Sequence, residues 1–147
     1  MQKYFIILAF FTFIYSYAQN KHYNLKKGVA IQGYDPVSYF DGLPQQGDKN
    51  ITTNFNGAQY YFINKENKSR FLKTPSKYEP QYGGWCAFAM GINGEKVKIN
   101  PETYKIIDGK LYLFYNAFFN NTLDSWNKKE GTYKKKADEN WTKTIKS

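Results

Sequence analysis

The side chains with the clearest capacity for chemistry lie in residues 82–90, a stretch that contains the only cysteine of the chain, Cys86. Met90 follows four positions later, and a thiolate with a thioether is a ligand pair that soft metals such as Cu(I) accept. This pattern predicts a copper or other soft-metal site at Cys86 and Met90, beside a ligand pocket framed by Tyr82 and Trp85. The same residue types also fit a structural alternative, in which Cys86 is a small buried hydrophobic residue.

Two adjacent glycines, Gly83 and Gly84, directly precede these residues. Glycine adopts positive φ angles without a steric penalty, and it lets the backbone come close to another group. We therefore expect a tight bend at this point, which would bring Cys86 to the edge of a partly buried pocket.

Nucleophilic catalysis by Cys86 is a further interpretation, and it requires a base that converts the thiol to the thiolate. His22 is the only histidine, and it lies in a polar segment that we expect to be a loose end of the chain. Asp35 precedes Pro36, a pattern typical of a turn rather than of a catalytic carboxylate. The residues therefore favour a protein that is not an enzyme, with a thiol-dependent enzyme as the alternative.

The positive charge of the chain does not by itself indicate a nucleic-acid-binding protein. The formal net charge is +9, but the basic run at residues 134–136 is followed closely by Asp138 and Glu139. Basic patches attract phosphates, yet this run is typical of a solvated helix face, with attraction to an anionic envelope surface as the weaker alternative. The Gly83-Gly84 pair lacks the lysine and hydroxyl residue of a phosphate-binding loop. We predict no nucleic-acid partner.

The first 18 residues have the pattern of an export signal. Lys3 provides a positive end, an apolar run covers residues 5–14, and Ser16 and Ala18 suit a cleavage site. The run is too short to span a bilayer, and no later segment is apolar enough to do so. The prediction is a signal peptide at 1–18, a polar lead at 19–27 and one domain at 28–147. The protein is then periplasmic or secreted, with a retained N-terminal anchor as the alternative.

The strands that must position these residues are separated by recognisable turns. Asn56-Gly57 and Asp108-Gly109 suit the two-residue turns of β-hairpins. A turn at Gly-Tyr-Asp-Pro is expected between two short extended pieces in residues 28–40. The predicted strands are residues 51–55, 58–63, 96–99, 104–107 and 110–115.

The predicted helices flank these strands. Asn64 can cap a helix that runs to Lys73, with Phe71 and Leu72 directed inward. Glu66 and Arg70 stand four apart on that helix and are expected to pair. Two C-terminal helices follow. The first carries a stripe of Phe119, Leu123 and Trp126 and stops at Gly131, and the second carries Tyr133, Ala137, Trp141 and Ile145. The order predicts an α+β domain with a mostly antiparallel sheet, short central helices and two C-terminal helices.

Several segments together resemble an exported member of the YHS-domain family. They are residues 28–40, 57–62, 71–78, 81–87, 108–115 and 137–141. The resemblance covers nearly the whole chain after the predicted signal. It implies a small α+β domain that binds a metal ion, without a defined reaction for the exported branch.

One difference from that family concerns the metal. Its metal-binding members carry two cysteines, four residues apart, just after the Tyr-Phe of the hairpin's second strand. Here Tyr61-Phe62 is followed by Ile63 and Asn67, which are poor ligands for a transition metal. The resemblance therefore implies a binding domain for a metal ion or a small ligand, but not that site. A non-catalytic interaction domain of the cell envelope is the remaining alternative.

Overall fold

The computed structural model of the protein describes residues 21–147. Its strands are β1 Leu25–Lys26, β2 Val29–Ala30, β3 Asp48–Phe55, β4 Ala58–Phe62, β5 Asn100–Ile107, β6 Lys110–Phe114, β7 Asn116–Ala117 and β8 Asn120–Asn121. Its α-helices are α1 Lys65–Lys73, α2 Pro75–Tyr78, α3 Ala87–Asn93, α4 Thr122–Lys128 and α5 Glu130–Lys146. Short 3-10 helices span Ile31–Gly33, Ser38–Asp41 and Gln81–Gly84.

The predicted signal peptide, residues 1–18, lies outside the described residues. Within residues 21–147, no helix has both the length and the apolar character that crossing a bilayer requires.

The strands form one mixed sheet and two hairpins. The four-stranded sheet has the order β1-β2-β4-β3, in which β2 runs parallel to β4 and the other neighbours are antiparallel. The hairpins β5–β6 and β7–β8 are each antiparallel and separate from it. With helices placed between and after the strands, the domain is α+β, as the sequence predicts.

The two hairpin turns form where the sequence predicts them. Asn56 and Gly57 have φ angles of 49° and 78°, and Asp108 and Gly109 have φ angles of 51° and 72°. Two successive residues with positive φ match the right-handed twist of the strands that they join. The first helix also begins as predicted, because the Asn64 side chain accepts a hydrogen bond from the Asn67 amide at 2.8 Å.

The core consists of two clusters of buried residues. The first includes Tyr39, Tyr60, Phe62, Phe71 and Cys86, and it joins the mixed sheet to helix α1 and to β6. The second consists of aromatic and apolar residues on β6, on the 3-10 helix Gln81–Gly84 and on helices α3 to α5. They are Tyr82, Ala87, Met90, Tyr112, Phe114, Trp126 and Ala137. The rings of Phe114 and Trp126 meet edge to face, with centroids 5.4 Å apart.

Helix α1 differs from its prediction in two side chains. Phe71 is fully buried, but Leu72 is 53% exposed, since consecutive residues on a helix point in different directions. Arg70 does not pair with Glu66. Its two terminal nitrogens bind the carboxylate of Asp41 at 2.8 and 2.9 Å, a bidentate geometry that is among the strong charge-assisted hydrogen bonds.

The C-terminal helices also differ from the prediction. Phe118 and Phe119 form the tip of the β7–β8 hairpin, with φ angles of 51° and 61°, and both side chains are exposed. Phe119 therefore lies outside the helix. The break between α4 and α5 falls at Lys129, with φ −148° and ψ 48°, while Gly131 lies inside α5.

Two expected extended segments are not strands. Residues 96–99 have no regular secondary structure, although Val97 accepts a backbone hydrogen bond from Cys86 at 2.9 Å. Residues Ser38–Asp41 form a 3-10 helix. Alternation of polar and apolar side chains shows that one face is buried, but it does not supply a strand partner.

Candidate functional site

Cys86 lies in the core rather than at the edge of a pocket. Its side chain is fully buried, and its Sγ accepts a hydrogen bond from the Tyr115 amide at 3.3 Å. The same sulfur lies 3.4 Å from Thr122 Oγ1. This thiol thus has polar neighbours of its own inside the first core cluster.

Met90 of the predicted soft-metal site, and Trp85 and Tyr82 of the predicted ligand pocket, have different surroundings. Met90 is fully buried and belongs to the second core cluster. Trp85 is half-buried and donates its indole N–H to the backbone oxygen of His22 at 2.7 Å. Tyr82 is buried and donates its phenol to Asp138 at 2.8 Å. Only Tyr82 of these residues lines the cleft described below.

The described residues, 21–147, contain no group of three or more histidine, cysteine, aspartate or glutamate side chains placed to hold a metal ion. A metal at Cys86 would have to recruit ligands of other types, such as the Met90 thioether. The role of Cys86 and Met90 as metal ligands stays a prediction of the sequence.

His22 is not part of a loose end. It is only 7% exposed, its ring meets that of Trp141 edge to face at 6.4 Å, and its Nδ1 lies 3.3 Å from Lys96 Nζ. Burial, with Lys96 and Lys21 nearby, lowers the pKa of this imidazole. Neither ring nitrogen hydrogen-bonds to Cys86 within the part of the chain that the structure describes.

The glycine bend holds the N-terminal segment in place. Tyr82, Gly83 and Gly84 have φ angles of 56°, 60° and 84°, and the positive values at the glycines confirm the bend. Asn24 pairs with it through its backbone amide to Gly83 O at 2.8 Å and its side-chain amide to Gly84 O at 3.0 Å. A Cβ on Gly83 would lie 2.9 Å from the Trp141 ring. This position therefore requires glycine for close approach as well as for its φ angle.

A cleft opens beside this bend, between the N-terminal segment, the mixed sheet and the end of helix α2. Its volume is about 160 Å³. Four of its lining residues are aromatic, namely Tyr23, Tyr60, Tyr82 and Trp141. Ser76 and Gln81 add polar groups, and among the described residues Glu79 is the only charged member of the lining.

Glu79 is held in the cleft by local chain geometry. It follows α2 directly and precedes Pro80, and its backbone is extended, with φ −62° and ψ 135°. A residue before proline disfavours the helical region, so the helix ends and the carboxylate turns away from it. Pro80 is fixed in turn by a bridge to Leu111 on β6.

The hydrogen bonds to the Glu79 carboxylate are long. Asn56 Nδ2 lies 3.5 Å from Oε1 and the Tyr60 hydroxyl lies 3.4 Å from Oε2, whereas strong bonds of these types fall below about 3.2 Å. Burial raises the pKa of Glu79, although Tyr60, Asn56 and Tyr23 each act in the opposite direction. The carboxylate is therefore poorly compensated for its loss of water.

The phenols around Glu79 also have raised pKa values. Burial, and then the negative charge of Glu79, raise the pKa of Tyr23 to about 12. Burial and Glu79 also raise the pKa of Tyr60 well above its ordinary value. Both phenols are therefore protonated at neutral pH and add no negative charge beside Glu79.

Reasoning from the sequence did not find this site. In the sequence, Glu79-Pro80 indicates only the end of a helical turn, because a residue before proline disfavours the helical region. Asn56, Tyr60 and Tyr23 come from a hairpin turn, a strand and the N-terminal segment, so no spacing along the chain relates them to Glu79. An acidic residue before proline, next to a predicted glycine bend, is the one local signal that could have drawn attention to it.

A second carboxylate, Asp35, has the opposite environment. It is fully buried, and its Oδ1 accepts from the Val37 and Ser38 amides at 2.8 and 3.4 Å. Its Oδ2 accepts from the Ile63 amide at 2.9 Å and from Asn67 Nδ2 at 2.8 Å. The two donors to Oδ2 come from positions 63 and 67, where metal-binding members of the family that this chain resembles carry cysteines. The turn-forming role that the sequence predicts for Asp35 thus extends to joining the turn to helix α1.

Comparisons with protein-family models, with curated proteins and with solved structures gave no match to this chain. The resemblance to the YHS-domain family therefore stays a prediction, based on the motifs given above.

Proposed function

We propose that this protein is an exported, non-catalytic binding domain for a small ligand, and that the ligand binds in the cleft at Glu79. The observation that carries this proposal is a partly buried carboxylate in an aromatic cleft, with a raised pKa and only long hydrogen bonds. A titratable group perturbed in this way and placed in a concave site is a common mark of a functional site.

The surroundings of the cleft support binding rather than catalysis. The phenols of Tyr23 and Tyr60 hold their protons tightly, and within residues 21–147 no second carboxylate or histidine is among the lining residues. The lining thus has one carboxylate, several neutral polar groups and aromatic residues. Such a set can orient a ligand, but it offers no pair of groups for concerted acid and base catalysis.

Binding can be tested by nuclear magnetic resonance of the labelled protein without its predicted signal, screened against a library of small polar molecules. We expect a hit to shift the resonances of Tyr23, Glu79 and Gly84 together. Glu79→Gln should weaken binding, and Glu95→Gln, which removes the same charge from an exposed site, should not. A screen in which every hit leaves the cleft resonances unchanged would contradict the proposal.

The soft-metal hypothesis for Cys86 and Met90 is tested separately by Cys86→Ser. If Cys86 binds Cu(I), the parent protein competes for Cu(I) with a chelator and the variant does not. If Cys86 is only a core residue, neither protein binds Cu(I), and the variant is less stable by about 1–3 kcal/mol because a hydroxyl replaces a well-packed thiol. The buried thiol and its contacts with Tyr115 and Thr122 favour the second outcome.

A further inference from the structure

Glu79 is a partly buried carboxylate without a cationic neighbour among the described residues. The ion pairs within residues 21–147 are Arg70–Asp41, Lys105–Glu130 and Lys134–Asp138. Among the described residues, no lysine, arginine or histidine lines the cleft around Glu79. Because charges removed from water are normally paired, a ligand with a positive charge would complement this carboxylate.

The walls of the cleft suit a cation of a particular kind. Four aromatic residues belong to the lining. Tyr23 and Trp141 are half-buried, whereas Tyr60 and Tyr82 are only 2% and 3% exposed. The face of an aromatic ring carries partial negative charge and attracts ammonium groups, most strongly when water is excluded. The electron-rich rings and the carboxylate thus favour the same charge on a ligand.

An organic cation fits better than a metal ion. Among the residues that the structure describes, Glu79 is the single carboxylate in the lining. Calcium and magnesium take about six or more oxygen ligands, and zinc takes about four ligands rich in sulfur and nitrogen. Aromatic carbon supplies no such donors. The contacts that the cleft does offer are those made to alkylated ammonium groups.

The size of the cleft limits the ligand further. Its volume of about 160 Å³ lies below the roughly 300–1,000 Å³ of sites for drug-sized molecules. Resting on the proposed function, and naming the class of its ligand, we infer that the cleft binds a small organic cation such as an alkylated amine, with Glu79 as its counter-ion and the half-buried Tyr23 and Trp141 as its aromatic contacts.

Choline is a suitable probe, because its uncharged analogue, in which carbon replaces the quaternary nitrogen, has nearly the same shape. Calorimetric titration of the protein should give choline at least about tenfold tighter binding than the analogue, a ratio that corresponds to about 1.4 kcal/mol. Glu79→Gln should remove most of that preference, while Glu95→Gln should keep it. Thermal melts of both variants check that each is folded.

The pH dependence gives a second readout. Only the ionised form of Glu79 attracts a cation, so binding of choline should strengthen as the pH rises through the raised pKa of Glu79 and then level off. Binding of the analogue should be flat over the same range. In Glu79→Gln the choline profile should also become flat.

The outcomes separate this inference from the proposed function. If choline and its analogue bind equally well in the cleft, or if Glu79→Gln binds choline as tightly as the parent, the cation inference fails and the ligand site remains. If choline does not bind at millimolar concentration while a neutral molecule shifts the cleft resonances, the inference again fails alone. If no small molecule affects the cleft at all, both proposals fail.

Discussion

Asp35 and Glu79 are two carboxylates of one small domain, and the structure treats them in opposite ways. Asp35 is fully buried and accepts hydrogen bonds from four donors, three of them at 2.8 to 2.9 Å. Glu79 is half-buried, and its hydrogen bonds from Tyr60 and Asn56 are 3.4 and 3.5 Å long. Burial alone therefore does not identify a functional acid. What distinguishes Glu79 is that these hydrogen bonds are long and that it belongs to the lining of a cleft.

The difference follows from the groups that surround each side chain. The donors to Asp35 include three backbone amides, whose positions are set by the turn at Pro36 and by the end of strand β4. Such donors are close, and the backbone fixes their positions. The donors to Glu79 belong to side chains from separate elements, which do not close around it. This arrangement leaves room for a ligand.

The largest effect should come from Asp35→Asn. The amide keeps the shape of the side chain but turns one acceptor into a donor, which leaves buried N–H groups of Ile63 and Asn67, or of Val37, without an acceptor. At about 1.5–3 kcal/mol for each bond to a charged group, we expect a loss of about 3–5 kcal/mol in the free energy of unfolding. Chemical denaturation measures it. A loss below about 1 kcal/mol would show that Asp35 does not hold the turn to helix α1.

Removing one of the donors to Asp35 should lower the free energy of unfolding by a smaller amount. Asn67→Ala leaves Asp35 Oδ2 with the Ile63 amide alone, and it also removes the link through which Arg70 Nη1 reaches Asn67 Oδ1 at 3.4 Å. We expect a loss of about 1–3 kcal/mol, the usual cost of leaving part of a buried polar group unsatisfied. Combined with Asp35→Asn, the loss should be less than additive, because both changes break the same network. Full additivity would contradict that coupling.

Glu79→Gln should change stability least. The long hydrogen bonds contribute little, and the substitution removes a charge whose burial is unfavourable. We expect a change within about 1 kcal/mol, in the direction of greater stability at neutral pH. The same denaturation experiment measures it against Asp35→Asn. A loss comparable to that of Asp35→Asn would mean that Glu79 is a structural group and that the comparison fails.

The pH dependence of stability sharpens the contrast at Glu79. A carboxyl whose pKa is raised on folding holds its proton more tightly in the folded state than in the unfolded state. Its contribution to the free energy of unfolding is therefore fully present below the unfolded pKa, and it is lost as the pH rises through the folded pKa. The parent should therefore lose stability relative to Glu79→Gln as the pH rises from about 4.5 upward through the folded pKa. Melts of both proteins across this range test it, and a constant difference would contradict the raised pKa of Glu79.

The local features of the fold were predictable from the sequence, because their causes lie within a few residues. Asn-Gly and Asp-Gly turns, the Asn64 cap and the glycine bend each depend on φ preferences or on a side chain that reaches its own backbone. Predictions that required a partner from elsewhere were less accurate. Arg70 had Glu66 nearby on its helix, yet the bidentate contact with Asp41 prevailed.

The site itself depends on contacts between distant parts of the chain. Whether Cys86 was a ligand or a core residue could not be decided from its neighbours in sequence, and its burial is set by β6 and by Thr122, 36 positions away. His22 seemed loose because its segment is polar, but the glycine bend and Trp141 enclose it.

What the sequence by itself determined is the set of local turns, caps and helix starts that make an α+β domain, together with the pattern of an export signal. What only the tertiary structure decided is which polar groups are satisfied. Asp35 and Glu79 both precede a proline, and in the sequence these pairs indicate only a turn at Asp35 and a helix end at Glu79. The free energy of a buried charge depends on donors that come from other elements. Only the folded chain, which brings four donors to Asp35 and an open aromatic cleft to Glu79, separates the structural carboxylate from the candidate binding group.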